Sequence, residues 1–169
     1  MRAIMISADG FEDAELFKPL EALRADDIEV VLATPGGASI TGKRGATVEA
    51  DSAIEQVDPS AFDLLVLPGG KAPAQLRKDA KVLAIAREFF AADKPVAAIC
   101  HGPQILVSAD LLRGRKATAY SAVAPELKEA GAEYRDEEVV VDGNLITSRK
   151  PGDIPAFIGA VREKLGIQP

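Results

Sequence analysis

The chain has 169 residues, 47% of them apolar and 27% charged, with a formal net charge of −6. That length suffices for one domain, 1–169, burying about two-thirds of the unfolded chain's surface, and the composition lies far from the polar regime of disordered chains. The acidic balance and scattered basic residues exclude the positive surface that nucleic acids or anionic membranes require. One cysteine cannot form an internal disulfide, and with one histidine it cannot build a four-ligand zinc site of the usual kind.

Short apolar runs alternate with longer amphipathic ones, as in parallel strands joined by crossover helices. The first strand, Arg2–Ile6, is too short and too soon broken by Ser7, Asp9 and Gly10 to be a secretory signal or a membrane span. The reducing cytoplasm is therefore the expected compartment. A helix over Asp13–Ala25 follows, with Leu16, Leu20 and Leu23 at helical spacing, and then a strand over 29–33. Residues 38–49, with Gly42 and Gly45 around Lys43 and Arg44, predict a β-hairpin.

A third strand over 63–67 precedes a helix over 82–92, whose apolar stripe is Val82, Ile85, Ala86 and Phe89. Next come the strand Val96–Ile99 and a helix over 103–112, with Pro103 at its first position and Gly114 past its end. A second hairpin over 138–148 is signalled by Asp142-Gly143. The last helix, Ile154–Leu165, lies between a capping Asp153 and Gly166. The order predicts an α/β fold, a doubly wound sheet with helices on both faces and small hairpin additions.

Ligands of such sheets bind beyond the carboxyl ends of the strands. Asp9-Gly10-Phe11-Glu12, Pro68-Gly69-Gly70 and Cys100-His101-Gly102-Pro103 all fall at such ends. In VAAICHGPQIL the strand runs directly into a helix start, so Cys100 sits on a tight turn like the elbow that presents a nucleophile. The positive end of the following helix favours a thiolate. The competing reading is a small buried hydrophobe.

His101 is the natural general base, although adjacent side chains on a turn can diverge. Glu12 could face the sulfur and shuttle a proton, or simply favour the helix start together with Asp9, Asp13 and Glu15. Gly69 and Gly70 offer unobstructed amides for an oxyanion, or merely make a turn. No nucleotide-binding pattern surrounds them, and no cofactor is expected.

The chain also resembles the PfpI family of intracellular cysteine peptidases over essentially its whole length. The resemblance is carried by FEDAEL at 11–16, TGKRG at 41–45, LVLPGGKAP at 65–73, KPVAAICHGPQIL at 94–106, LLRGRKATAY at 111–120 and EVVVDGNLITSR at 138–149. It implies a flavodoxin-like fold related to class I glutamine amidotransferase domains, with Cys100 as nucleophile, His101 beside it and Glu12 against the sulfur. It further implies self-association into dimers or hexamer-like rings with sites near subunit interfaces.

Members of that family are described as peptidases and as glyoxalase III-type or deglycase enzymes. The implied substrates are small carbonyl compounds such as methylglyoxal, glycated adducts, or peptides. One position departs from the peptidase pattern: Ala74 stands where an acidic residue from a neighbouring subunit is proposed to orient the histidine. Without that carboxylate the imidazole loses a partner that would fix its tautomer, which shifts the expectation from amide hydrolysis toward carbonyl chemistry. A non-enzymatic oxidant sensor acting through Cys100 is a third reading.

Overall fold

The structure, a computed structural model, describes residues 1–167. In chain order its strands and α-helices are β1 (Arg2–Ile6), α1 (Asp13–Ala25), β2 (Glu29–Thr34), β3 (Ile40–Thr41), β4 (Thr47–Val48), β5 (Ser52–Ala53), β6 (Leu64–Leu67), α2 (Ala72–Leu76), α3 (Ala80–Ala91), β7 (Val96–Ile99), α4 (Pro103–Ser108), β8 (Lys116–Ala117), α5 (Ala124–Glu129), β9 (Glu133–Tyr134), β10 (Val139–Asp142), β11 (Leu145–Ser148) and α6 (Ile154–Leu165).

Seven strands form the main sheet in the order β10-β11-β7-β6-β1-β2-β5, parallel throughout except for β10. Helices α1 and α6 pack together on one face, while α3 packs on β6, β7 and α4 on the other. The expected flavodoxin-like three-layer α/β architecture is therefore present. All four residues of β6 and of β7 are buried, as a strand covered on both faces requires.

The four expected central strands and both hairpins form, with shifts of a residue or two at some ends. The second hairpin is no appendage, because β11 pairs in parallel with β7 and extends the main sheet. Its connecting residues are Gly143 and Asn144 between the paired Asp142 and Leu145, one position later than the Asp-Gly signal suggests. The helix after Cys100 stops at Ser108, not near Leu112, because Asp110 takes a left-handed φ of 58°. Asp153 precedes α6 without a side-chain capping bond, since Arg149 takes its carboxylate. Gly166 ends α6 in the left-handed conformation, φ 75°.

The stripe predicted for α3 is the buried one, with Val82, Ile85, Ala86 and Phe89 all in the core. Phe89 is completely buried, with the Lys94 ammonium 5.0 Å from its ring centroid. Phe89→Ala should therefore destabilise the protein by about 3–5 kcal/mol. Urea denaturation should show a lower midpoint at unchanged slope; a loss under about 1 kcal/mol would mean that the site collapses around the missing ring.

Candidate active site

β1 is flanked by β2 on one side and β6 on the other, so the chain reverses direction across the sheet between β1 and β6. Such a switch point opens a crevice beyond the strand ends. The two loops leaving it are stitched together: Phe11 and Gly70 form an isolated bridge, Glu12 N donates to Gly69 O (3.3 Å) and Lys71 N donates to Gly10 O (2.8 Å). Cys100 directly follows β7, the strand beside β6.

The turn at Cys100 is an elbow. Its φ of 64° is left-handed, a conformation that costs a non-glycine residue about 1–3 kcal/mol and needs support from its surroundings. That support comes from both sides, as Cys100 N donates to Ser148 O and Tyr120 N donates to Cys100 O, each at 2.9 Å. Gly102 has no substitute here, because a Cβ would lie 2.3 Å from Leu67 O. The chain can then enter α4 at once, leaving the sulfur at the head of the crevice.

The carboxyl group against that sulfur belongs to Glu15, not Glu12. Glu15 is fully buried and accepts from Gly69 N at 3.0 Å through Oε1, and Gly69 is wedged between that oxygen and the Cys100 side chain, at 2.6 Å and 2.8 Å from where its Cβ would be. Burial raises its pKa, and the neighbouring Glu12 charge raises it further, to about 8. Oε2 has no hydrogen-bond partner among the described residues. Burial without a second partner favours the neutral, protonated form.

The thiol is also raised, first by burial and then by the Glu15 carboxylate, to about 12 when that carboxylate is charged. Amides of Gly70 and His101 directed at the sulfur oppose this. The resting group is therefore a thiol rather than the thiolate expected from the helix start. α4, only six residues long, does not outweigh burial.

His101 Nδ1 lies 3.3 Å from Cys100 Sγ, so the two neighbours on the turn do meet. Its ring stacks on Tyr120, with centroids 5.0 Å apart and planes 25° from parallel. Burial and then the Lys43 charge lower its pKa, leaving a neutral imidazole able to accept a proton. The two glycines separate in role. Gly69 spends its amide on Glu15, so it is not available to an oxyanion, whereas the Gly70 amide points to the sulfur beside that of His101.

Glu12 is held elsewhere. Arg44 Nε donates to its Oε1 at 2.8 Å and Lys43 Nζ stands 3.0 Å from its Oε2. Burial alone would raise its pKa, but Arg44 and Lys43 outweigh burial and hold it low, so it is a fixed anion rather than a proton donor. It forms no side-chain cap either. Asp9 and Asp13 instead accept from the amides of Thr41, Arg44 and Ala46, fastening the β3–β4 hairpin over the start of α1.

The sequence carried a signal for Glu15. The buried face of α1 comprises residues 15, 16, 19, 20 and 23, so Glu15 is a charge on the apolar stripe of Leu16, Leu20 and Leu23, whereas Glu12 precedes the helix. Tyr120 and Lys43 had no comparable signal, because each arrives from a distant segment. Among the described residues no group of three or more His, Cys, Asp or Glu could hold a metal ion, and no helix is long and apolar enough to cross a membrane.

A buried thiol on a left-handed turn at the switch point of a parallel sheet, flanked by a carboxyl and an imidazole, defines an α/β protein with a cysteine-bearing strand-to-helix elbow. The chain belongs to the DJ-1/PfpI family, whose model matches residues 1–164. Among its relatives, the deglycase TK1284 of Thermococcus kodakarensis is 51% identical over 158 residues, covering 94% of this chain and 95% of that protein. Protein/nucleic acid deglycase 2 of Escherichia coli is 47% identical, covering 92% and 91% respectively. A two-domain Anabaena variabilis protein with DJ-1/ThiJ/PfpI-like and ferritin-like domains superposes with a TM-score of 0.96 at 39% identity. That match covers 98% of this chain and 48% of the other, so the chain spans about half of the two-domain protein.

Proposed function

We propose that this protein is a cysteine-dependent, cofactor-independent deglycase or glyoxalase-type enzyme, acting on reactive carbonyls such as methylglyoxal and on their adducts. The observation that carries this reading is the placement of the Cys100 thiol 3.3 Å from the His101 imidazole and beside the buried Glu15 carboxyl, whose pKa burial raises. The deglycase names of relatives near 50% identity support it.

In this mechanism His101 Nδ1 takes the thiol proton as sulfur adds to the aldehyde carbon, and the carbonyl oxygen becomes a hydroxyl by protonation. Glu15 donates a hydrogen bond to the sulfur while the charge develops. The amides of Gly70 and His101 are the donors nearest the forming oxyanion. With methylglyoxal, the hydrogen on the sulfur-bearing carbon leaves as a proton and a proton is returned to the adjacent carbon. This internal oxidation and reduction converts the hemithioacetal into a thioester, which water cleaves to lactate and free thiol.

Ala74 favours carbonyl chemistry over peptide hydrolysis. It is exposed on α2 and brings no carboxylate to orient the imidazole, whereas expelling an amine from an amide needs a well-oriented acid. Self-association and a cytoplasmic location remain part of the proposal. Purified protein given methylglyoxal should consume it and release lactate, with Cys100→Ala reducing turnover by about 10³-fold or more. Equal turnover by Cys100→Ala, or none by the wild type, would overturn the reading.

A further inference from the structure

Lys43 lies at the tip of a hairpin that is held in place at many points. Gly10 N donates to Thr41 O (2.8 Å), Thr41 N to Asp9 (2.8 Å), and Lys43 N to Phe11 O (2.9 Å), while Arg44 and Ala46 amides donate to Asp13. Gly42 sits where a Cβ would meet the Asp13 carboxylate at 2.2 Å. The position of the lysine is thus fixed by backbone contacts to the β1–α1 loop, the same loop that leads to Glu15.

Its ammonium caps the Glu12 carboxylate at 3.0 Å. The Glu12 side chain is only 5% exposed, whereas Lys43 is 39% exposed and Arg44 67%. A molecule entering from solvent therefore meets the cations and not the carboxylate beneath them. Asp13 is the other acid near Arg44, and its oxygens are taken by amides on the hairpin side. The Lys43 charge acts on both His101 and Glu15, the two groups flanking Cys100.

We propose that Lys43 is a specificity-determining residue of this crevice, drawing to Cys100 those carbonyl compounds that carry a negative charge beside the reacting carbon. The substrate class is a 2-oxoaldehyde or carbonyl adduct that bears a carboxylate close to the reacting carbonyl pair. This inference rests on the carbonyl reading for the word substrate, but the underlying recognition of an anion beside Cys100 does not.

The test exploits the single cysteine. Iodoacetate and iodoacetamide are close in size and differ in charge, and each alkylates Cys100 with loss of iodide. Their rates are compared by mass at about pH 7, where the imidazole is neutral and Glu15 keeps its proton. Lys43→Met should lower the iodoacetate-to-iodoacetamide rate ratio by roughly three- to tenfold, Lys43→Arg should keep it within about twofold, and salt should lower it in the wild type.

An unchanged ratio in Lys43→Met, or an equal fall of both rates, would overturn the proposal. Glyoxylate, whose hemithioacetal has no adjacent ketone to reduce, should act as a reversible competitive inhibitor of methylglyoxal turnover, and Lys43→Met should raise its inhibition constant by a similar factor. Because alkylation needs no turnover, failure of the carbonyl reading leaves the alkylation ratio intact. Failure of the Lys43 inference leaves methylglyoxal turnover intact.

Discussion

Glu15→Gln should make the protein more stable and much less active. The native state keeps a proton on Glu15 up to about pH 8, whereas in the unfolded chain the same carboxyl titrates near 4.5. Between those values the folded form binds more protons than the unfolded one, so stability falls as pH rises through this window and the loss is complete above it. The shift corresponds to about 3–5 kcal/mol at its upper limit. Glutamine keeps the bond to Gly69 N through its amide oxygen and has no proton to lose, so the pH-dependent decline should be absent.

The gain should reach about 2 kcal/mol or more at alkaline pH and shrink toward zero in mild acid. Activity should move the other way. An amide is a weaker donor than a carboxylic acid and cannot exchange a proton with sulfur or substrate, so kcat should fall by about 10²-fold or more. Denaturation midpoints at several pH values, measured with turnover on the same samples, check both halves. Parallel stability curves for the variant and the wild type would show that Glu15 is ionised in the native state.

What the sequence exposed and what it concealed follow from the range of the forces involved. β7 and its elbow were legible because a fully buried strand must be apolar at every position and because Gly102 and Pro103 mark the turn and helix start locally. The α3 stripe was legible for the same reason. The parallel pair β8–β9 was not, since two residues in each strand leave no periodicity. The carboxyl at the sulfur lies three residues beyond Glu12, because helical phase and not proximity to the turn decides which side of α1 is buried. The loss of Gly69 as an oxyanion donor could not be read at all, because its amide is claimed across 54 positions by Glu15.

Gly70→Ala tests whether the switch point is as tightly closed as its contacts imply. Gly70 has a left-handed φ of 83°, and a Cβ there would lie 2.3 Å from Glu12 N, 2.5 Å from Gly10 O and 2.6 Å from Phe11 C. All three are backbone atoms of the β1–α1 loop, which is bridged to this strand end and cannot yield as a side-chain tip would. Gly36 provides the control, with a φ of 64° and nothing within 4 Å of its Cβ position. Gly36→Ala should lose about 1 kcal/mol, the conformational part alone.

Gly70→Ala should lose about 3 kcal/mol or more, the excess reporting the crowding. The displaced loop would carry the Gly70 amide away from the sulfur and disturb the start of α1, where Glu15 sits, so kcat should fall by about 10²–10³-fold. If the two alanine variants prove equally stable, the loops at the switch point are free to part. The fixed placement of carboxyl, amide and thiol, on which the chemistry proposed for Cys100 depends, would then lose its structural basis.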